Sequence, residues 1–306
     1  MGTPALAAHI LERLVTASGA NCRVVGVVTR PDSPRGRGLG MEPSEVGAVA
    51  AKYQIPTLKP VKIRTPEFLN ELKAFDPHLL VVAAYGRILP NSILEVPKIA
   101  PMNVHASLLP RHRGAAPIEG AILAGDVETG VTIMRIIEQM DAGPMYFRRE
   151  IPIAPTDTQA TLKEKLAELG AVAMIEAINL AARGALIETP QDESLATYTA
   201  PVKKNDAMID WTANAEQIER MTRAYDPWPV ARTRLGADEV LIWRAAVEDG
   251  SNGSAGTIVS VKPAPVVQCG TGRLRLIEVQ AAGRKRISAA DFFRGKRVEA
   301  GVRLGA

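Results

Sequence analysis

The stretch MNVHASLLPRHRGAAPIEGAILAG, Met102 to Gly125, reads as an extended run, a break at Pro110 and a helix opening near Pro117. Asn103, His105 and Ser107 sit two apart, so in a strand they share one face while Met102 and Val104 take the other. Strand, break and helix make the repeating unit of an α/β sheet, and the flanking sequence supplies more of them. RVVGVVTR (23–30) and HLLVVAA (78–84) are short aliphatic runs of the kind buried on both faces in parallel sheets, and TGVTIMRI (129–136) is a fourth strand. Ahead of the first of them ALAAHILERLVTASG places Leu6, Ile10 and Leu14 at helical spacing and stops at Gly19. Further helices are expected around 44–53, after the capping Thr65 in TPEFLNELKAF, and over roughly 157–183. The alternation predicts a doubly wound, Rossmann-like α/β domain. Ligands of such sheets bind beyond the carboxyl ends of the strands, where Asn103, His105 and Ser107 run out.

The helical pattern ends near residue 185, and LIETPQDESLATYTAPVKK has no periodicity, so 186–203 reads as a linker between domains at 1–185 and 204–306. Beyond it one helix, AEQIERMTRAY, precedes the short stretches VARTRL, EVLIWRA, GTIVSV, PVVQCG and RLRLIEVQ, separated by glycine-bearing turns. That pattern suits a small antiparallel barrel.

Of 306 residues 46% are hydrophobic but only 4% aromatic, so the cores are aliphatic and a disordered chain is excluded. No apolar run approaches the roughly 20 residues that span a bilayer, and the N-terminus lacks a signal-like segment, which points to the cytoplasm. Cys22 and Cys269 have no histidine nearby, and His9, His78, His105 and His112 show no metal-type pairing, so neither a disulfide nor a bound metal is expected. The basic excess is C-terminal. From Lys203 onward there are 17 basic and 12 acidic residues, with Arg273, Arg275, Arg284, Lys285, Arg286, Arg294, Lys296, Arg297 and Arg303 closely spaced. Such a tail is either a solvated face or a surface for a polyanion.

Asn103 and His105 supply an amide donor and an imidazole on one face. Asp141, in the glycine-bearing loop EQMDAGPM after the fourth strand, can return a carboxylate to the same sheet edge. An amide to stabilise an oxyanion, an imidazole to move a proton and a carboxylate to orient it fit an acyl-type transfer. Ser107 is disfavoured as a nucleophile, since it lies outside a GxSxG elbow and is followed by LLP.

NVHASLLPRHRGAAPI, with TGVTIM at 129–134 and MDAG at 140–143, resembles the formyltransferase family that uses 10-formyltetrahydrofolate. The resemblance covers essentially the whole chain. GTPALAA at the start, RPDSPRGRG, AAYGRILP and IDWTANAEQIERMTRAYDPWP resemble further elements of the members acting on charged tRNA. It implies transfer of a formyl group to the α-amino group of methionine on initiator tRNA, by a monomer that releases tetrahydrofolate and uses no metal. It also implies an OB-like β-barrel as the C-terminal domain. By the same resemblance Asn103, His105 and Asp141 are catalytic, Ser107, Leu108, Leu109 and Pro110 line the folate site, and Arg37 in the loop from Arg30 to Pro43 contacts tRNA. Many members carry lysines where this chain has Leu39 and Gly40, so a weaker grip on RNA is expected, with Arg35 compensating. The alternatives are an amino sugar nucleotide as acceptor, or a non-catalytic RNA-binding module; RGRG and the basic tail favour RNA, and the retained Asn103, His105 and Asp141 favour an enzyme.

One departure stands at the N-terminus. Members of the family begin with an apolar strand leading into the glycine of GTP, whereas here Met1 stands where that strand should end. The first strand is therefore expected to be truncated, and the natural product to be longer. Each large side chain so missing from a core is worth about 1.5–3 kcal/mol on burial.

Overall fold

The computed structural model describes residues 1–17, 21–35 and 40–305. They fall into two compact units, one of Met1–Pro117, Glu128–Pro152 and Lys163–Ala200, the other of Ile118–Val127, Ile153–Leu162 and Pro201–Ala306.

In the first unit α1 (Ala5–Thr16) buries Leu6, Ile10 and Leu14, the residues whose spacing predicted it. β1 (Val27–Val28) follows, then a hairpin of β2 (Ser33–Arg35) and β3 (Gly40–Glu42). α2 (Glu45–Lys52) is capped by Ser44, whose Oγ accepts from the Gly47 N–H at 2.9 Å. β4 (Thr57–Leu58) leads to α3 (Pro66–Ala74), where Thr65 Oγ1 accepts from Phe68 N and Pro66 occupies the first turn. β5 (Leu79–Val82), α4 (Asn91–Leu94), β6 (Ala100–His105), β7 (Arg113–Gly114), α5 (Pro117–Ala124), β8 (Glu128–Arg135), β9 (Met145–Pro152) and α6 (Gln159–Ala182) follow in chain order, α5 from Ile118 and α6 up to Leu162 belonging to the second unit, and β10 (Tyr198–Thr199) pairs with β7. Val28, Phe68, Leu72, Leu80, Tyr85 and Ile93 belong to one buried cluster beside the sheet.

The sheet order is β5-β6-β8-β9, with β5 and β6 parallel and the later pairs antiparallel. The antiparallel β8 and β9 depart from the all-parallel expectation. β9, MYFRREIP, lies at the sheet's edge with Met145–Phe147 half-buried and Arg148–Glu150 exposed, so it carries neither an apolar run nor an alternation to announce it.

A second departure lies at the other side of β5. The expected strand 23–30 is paired only over Val27–Val28, parallel to β4. Met1 and Gly2 stand between the two pieces of sheet. Gly2 N donates to Val28 O at 3.1 Å, Ala83 N donates to Met1 O at 3.0 Å, and Gly2 bridges Ala83 in parallel register. Next to Met1 and Gly2 a cavity of about 680 Å³ runs between residues 24–28 and 79–83, lined also by Ile10 and Leu14 of α1 and Ile178 of α6. Segment 23–26 has no ladder because its neighbour on that side is this cavity.

The second unit contains α7 (Ala215–Ala224), β11 (Arg232–Leu235), β12 (Asp238–Glu248), β13 (Ile258–Ser260), β14 (Val266–Gln268), β15 (Arg273–Ala281), β16 (Ile287–Ser288) and α8 (Ala289–Gly295). Asn214 and Gln217 form a reciprocal capping box at the start of α7. The strands make an antiparallel sheet in the order β11-β12-β15-β14-β13, with β16 also on β15. Trp211, Ile218, Val240, Ile242, Leu274 and Phe293 are part of its core. The expected barrel is a sheet-rich domain without recorded closure: among the described residues β11 and β13 are not paired. The strands are legible from alternation, whereas closure depends on a pairing between ends far apart in sequence. No described helix is long and apolar enough to cross a membrane.

Candidate active site

The site is built on the end of β6. Asn103 pairs with Val82 on one side and Met134 on the other, so the strand is held on both edges. Its alternation puts the fully buried Met102 and the buried Val104 on the face opposite Asn103 and His105. Past His105 the chain folds into a tight turn. Ser107 Oγ donates to Arg111 O at 2.7 Å; Thr132 Oγ1 donates to Ser107 O at 2.7 Å and accepts from Leu109 N at 3.1 Å. Arg148 Nη1 donates to Leu109 O at 3.1 Å. The Ser107 hydroxyl and the Thr132 hydroxyl are thus both engaged in holding the turn. Ser107 and Leu109 are fully buried, Pro110 is buried and Leu108 half-buried.

The turn brings the main chain back over the imidazole. His105 Nε2 lies 2.9 Å from the His112 carbonyl oxygen, and Nδ1 lies 3.7 Å from Asp141 Oδ2. The ring is nine-tenths buried, at 6% exposure, and the carboxylate has 17%. A carbonyl oxygen can only accept, so Nε2 carries the hydrogen toward His112 O while Nδ1 faces the carboxylate. Asp141 Oδ2 also accepts from the Gly114 N–H at 2.9 Å, which ties β7 to the same carboxylate. Gly114 has φ +109°, and a Cβ there would lie 2.3 Å from Thr199 O, so only glycine fits.

Around this core lies a set of groups that sequence reasoning missed. Arg113 is fully buried, and its guanidinium binds both oxygens of Glu193 at 2.9 and 2.7 Å, with Tyr198 OH at 3.2 Å. The Arg113 fork holds the Glu193 carboxyl below the usual carboxylate range. The same guanidinium reaches Gln191, which in turn donates to the loop carrying Asp141. Thr197 Oγ1 accepts from His112 N at 2.8 Å. Residues 189–199, aperiodic in sequence, thus form one wall of the site. Gly114 could be suspected as a glycine beside a buried charge; Gln191 and Thr197 carry no local signal.

Asn103 and His105 share the strand face as predicted, and Asp141 meets His105. Arg37 lies outside the described residues. Among the described residues no group of three or more His, Cys, Asp or Glu side chains is placed to hold a metal ion.

Residues 1–178 match the family model described as formyl transferase, and residues 201–297 the one described as formyl transferase, C-terminal domain. A protein of Geobacter sulfurreducens named methionyl-tRNA formyltransferase is 41% identical over 306 residues, covering 100% of this chain and 95% of its own length. One of the same name from Methylococcus capsulatus is 44% identical over 305 residues, covering 99% and 98%. Among solved structures, an N-formyltransferase of Helicobacter canadensis in complex with folinic acid and dTDP-3-aminofucose has a TM-score of 0.65 at 18% identity, covering 92% of this chain and 97% of that one. At that identity the likeness shows the fold.

Proposed function

The chain belongs to the formyl transferase family, and from that premise we propose that it transfers the formyl group of 10-formyltetrahydrofolate to the α-amino group of methionine on initiator tRNA. The observation that carries this reading is identity of 41 to 44%, across both halves of the chain, to proteins named for methionyl-tRNA.

The folate co-substrate supplies a formyl carbon bonded to nitrogen, open to attack by an amine. The donor set fits such a reaction: an amide, an imidazole with an acceptor at each nitrogen, and a carboxylate. As the amine approaches the formyl carbon, negative charge grows on the formyl oxygen, and the Asn103 amide donates to it. His105 takes the proton that the amine must lose and hands it toward the departing folate nitrogen. Asp141, held by the Gly114 N–H, orients the imidazole and balances its charge while it carries that proton. The new C–N bond forms, the old one breaks, and one proton has moved from amine to folate.

Ser107, Leu108, Leu109 and Pro110 shape the folate site chiefly through their turn, since the Ser107 hydroxyl is bonded to Arg111 O and Leu109 is enclosed. Arg37 and the solvent-exposed Arg284, Lys285 and Arg297 take the RNA backbone. Action as a monomer, in the cytoplasm where charged tRNA is found, belongs to the same proposal.

The test is incubation with labelled 10-formyltetrahydrofolate and methionine-charged initiator tRNA, with uncharged tRNA and an amino sugar nucleotide as controls. Label is expected on methionine in the first mixture alone. Label on the amino sugar nucleotide, or on nothing, would refute the proposal.

A further inference from the structure

We propose that Gln191 is a positioning residue for the reaction, fixing the backbone that carries Asp141. This deepens the reading above and rests on it. Gln191 lies in the aperiodic stretch after α6, yet its amide uses its whole hydrogen-bonding capacity inside the site. Oε1 accepts from Arg113 Nε at 3.0 Å and Nη2 at 2.8 Å. A guanidinium has no acceptor, so this pair decides which way round the amide sits. Nε2 is thereby aimed at the other side, where it donates to Asp141 O and Gly143 O, both at 2.8 Å.

Those two carbonyls straddle the turn that presents the carboxylate. Asp141 has φ 51°, a left-handed conformation that an aspartate adopts only at some cost. Gly143 is pressed against the strand: a Cβ there would lie 2.0 Å from Arg135 O. Thr189 and Met145 exchange two main-chain hydrogen bonds of 2.8 Å, which brings the segment carrying Gln191 alongside the end of the loop. Arg113 is itself immobilised by Glu193 and Tyr198. A relay of fixed groups therefore runs from Glu193 through Arg113 and Gln191 to the main chain of Asp141. Gln191 does not reach the imidazole; it determines where the carboxylate facing it stands. Misplacement of a reacting group by about 1 Å can cost on the order of 100-fold in rate.

Gln191→Glu keeps the shape and the acceptor for Arg113 but sets a carboxylate oxygen against two carbonyls; Gln191→Ala removes both sides of the relay. Both are expected to lower kcat by about 10- to 100-fold, with KM for either substrate changed less than threefold. In an Asp141→Asn background Gln191→Glu should cost less than threefold more, because the group being positioned is already disabled. Hydrogen exchange followed by mass spectrometry should show faster exchange over residues 139–145 in Gln191→Glu, with the melting temperature near that of the unmodified chain. Unchanged kcat, an equal loss in both backgrounds, or unchanged exchange in the 139–145 loop would each overturn the proposal. The exchange measurement needs no turnover, so failure of the unmodified chain to formylate charged tRNA sinks the substrate reading alone.

Discussion

In a polypeptide that starts at Met1 with a free amine, the buried terminus makes stability depend on pH in a direction the structure fixes. The amine lies 2.5 Å from the Val81 carbonyl oxygen, between the two pieces of the sheet, and burial lowers its pKa from 8.0 to about 5. The unfolded chain holds this proton below about pH 8, the folded chain only below about 5. Between those values unfolding takes up a proton, so stability falls as the pH drops from 8 to 5 and is flat above that window. A gap of about 3 units at about 1.4 kcal/mol each gives a loss of order 4 kcal/mol. Against a usual net stability of about 5–15 kcal/mol that is a large share. The assay is urea unfolding, followed by circular dichroism at several pH values and constant ionic strength, on protein whose mass shows Met1 retained. The same protein acetylated at Met1 is the reference, because every other titrating group is common to both and cancels in the difference. The free-amine form should lose several kcal/mol relative to the acetylated form between pH 8 and 5. Parallel loss in the two forms would refute the assignment of a buried, deprotonated amine.

Other outcomes follow from single groups. Asn103→Ala and His105→Ala should each reduce formylation about 100- to 1,000-fold while circular dichroism stays native, and near-normal turnover in either would remove that residue from the chemistry. Arg37→Ala should raise KM for charged tRNA far more than KM for the folate; equal effects would take the loop out of RNA binding. Gly143→Ala places a methyl against Arg135 O and should destabilise by about 1–3 kcal/mol, visible as a lowered melting temperature. In the C-terminal unit Trp211 Nε1 donates to Thr233 Oγ1 at 2.9 Å in a buried setting. Thr233→Val strands that N–H and should cost about 1–3 kcal/mol, measured as a shift in the urea midpoint.

The strand that carries Asn103 and His105 was readable because its signal is local. Asn103, His105 and the break at Pro110 lie within eight positions, and a period of two puts the polar pair on one face. Asp141 was readable through the glycine beside it and the family motif. β9 was not, because an edge strand with no fully buried residue needs neither an apolar run nor an alternating one. Gln191 was invisible for another reason: its partners Arg113, Asp141 and Gly143 are distant in sequence, and a glutamine amide serves a solvated loop equally well. The expected closure of the C-terminal sheet went beyond what its strands carry, since alternation identifies each strand but does not say which edges meet.

The space between residues 24–28 and 79–83 has a consequence for hydration. Exposed Cys22, Arg23 and His78 border it together with buried Ile10 and Leu14, so it opens to solvent. The main-chain groups of half-buried residues 24–26 that have no ladder partner can therefore be satisfied by water.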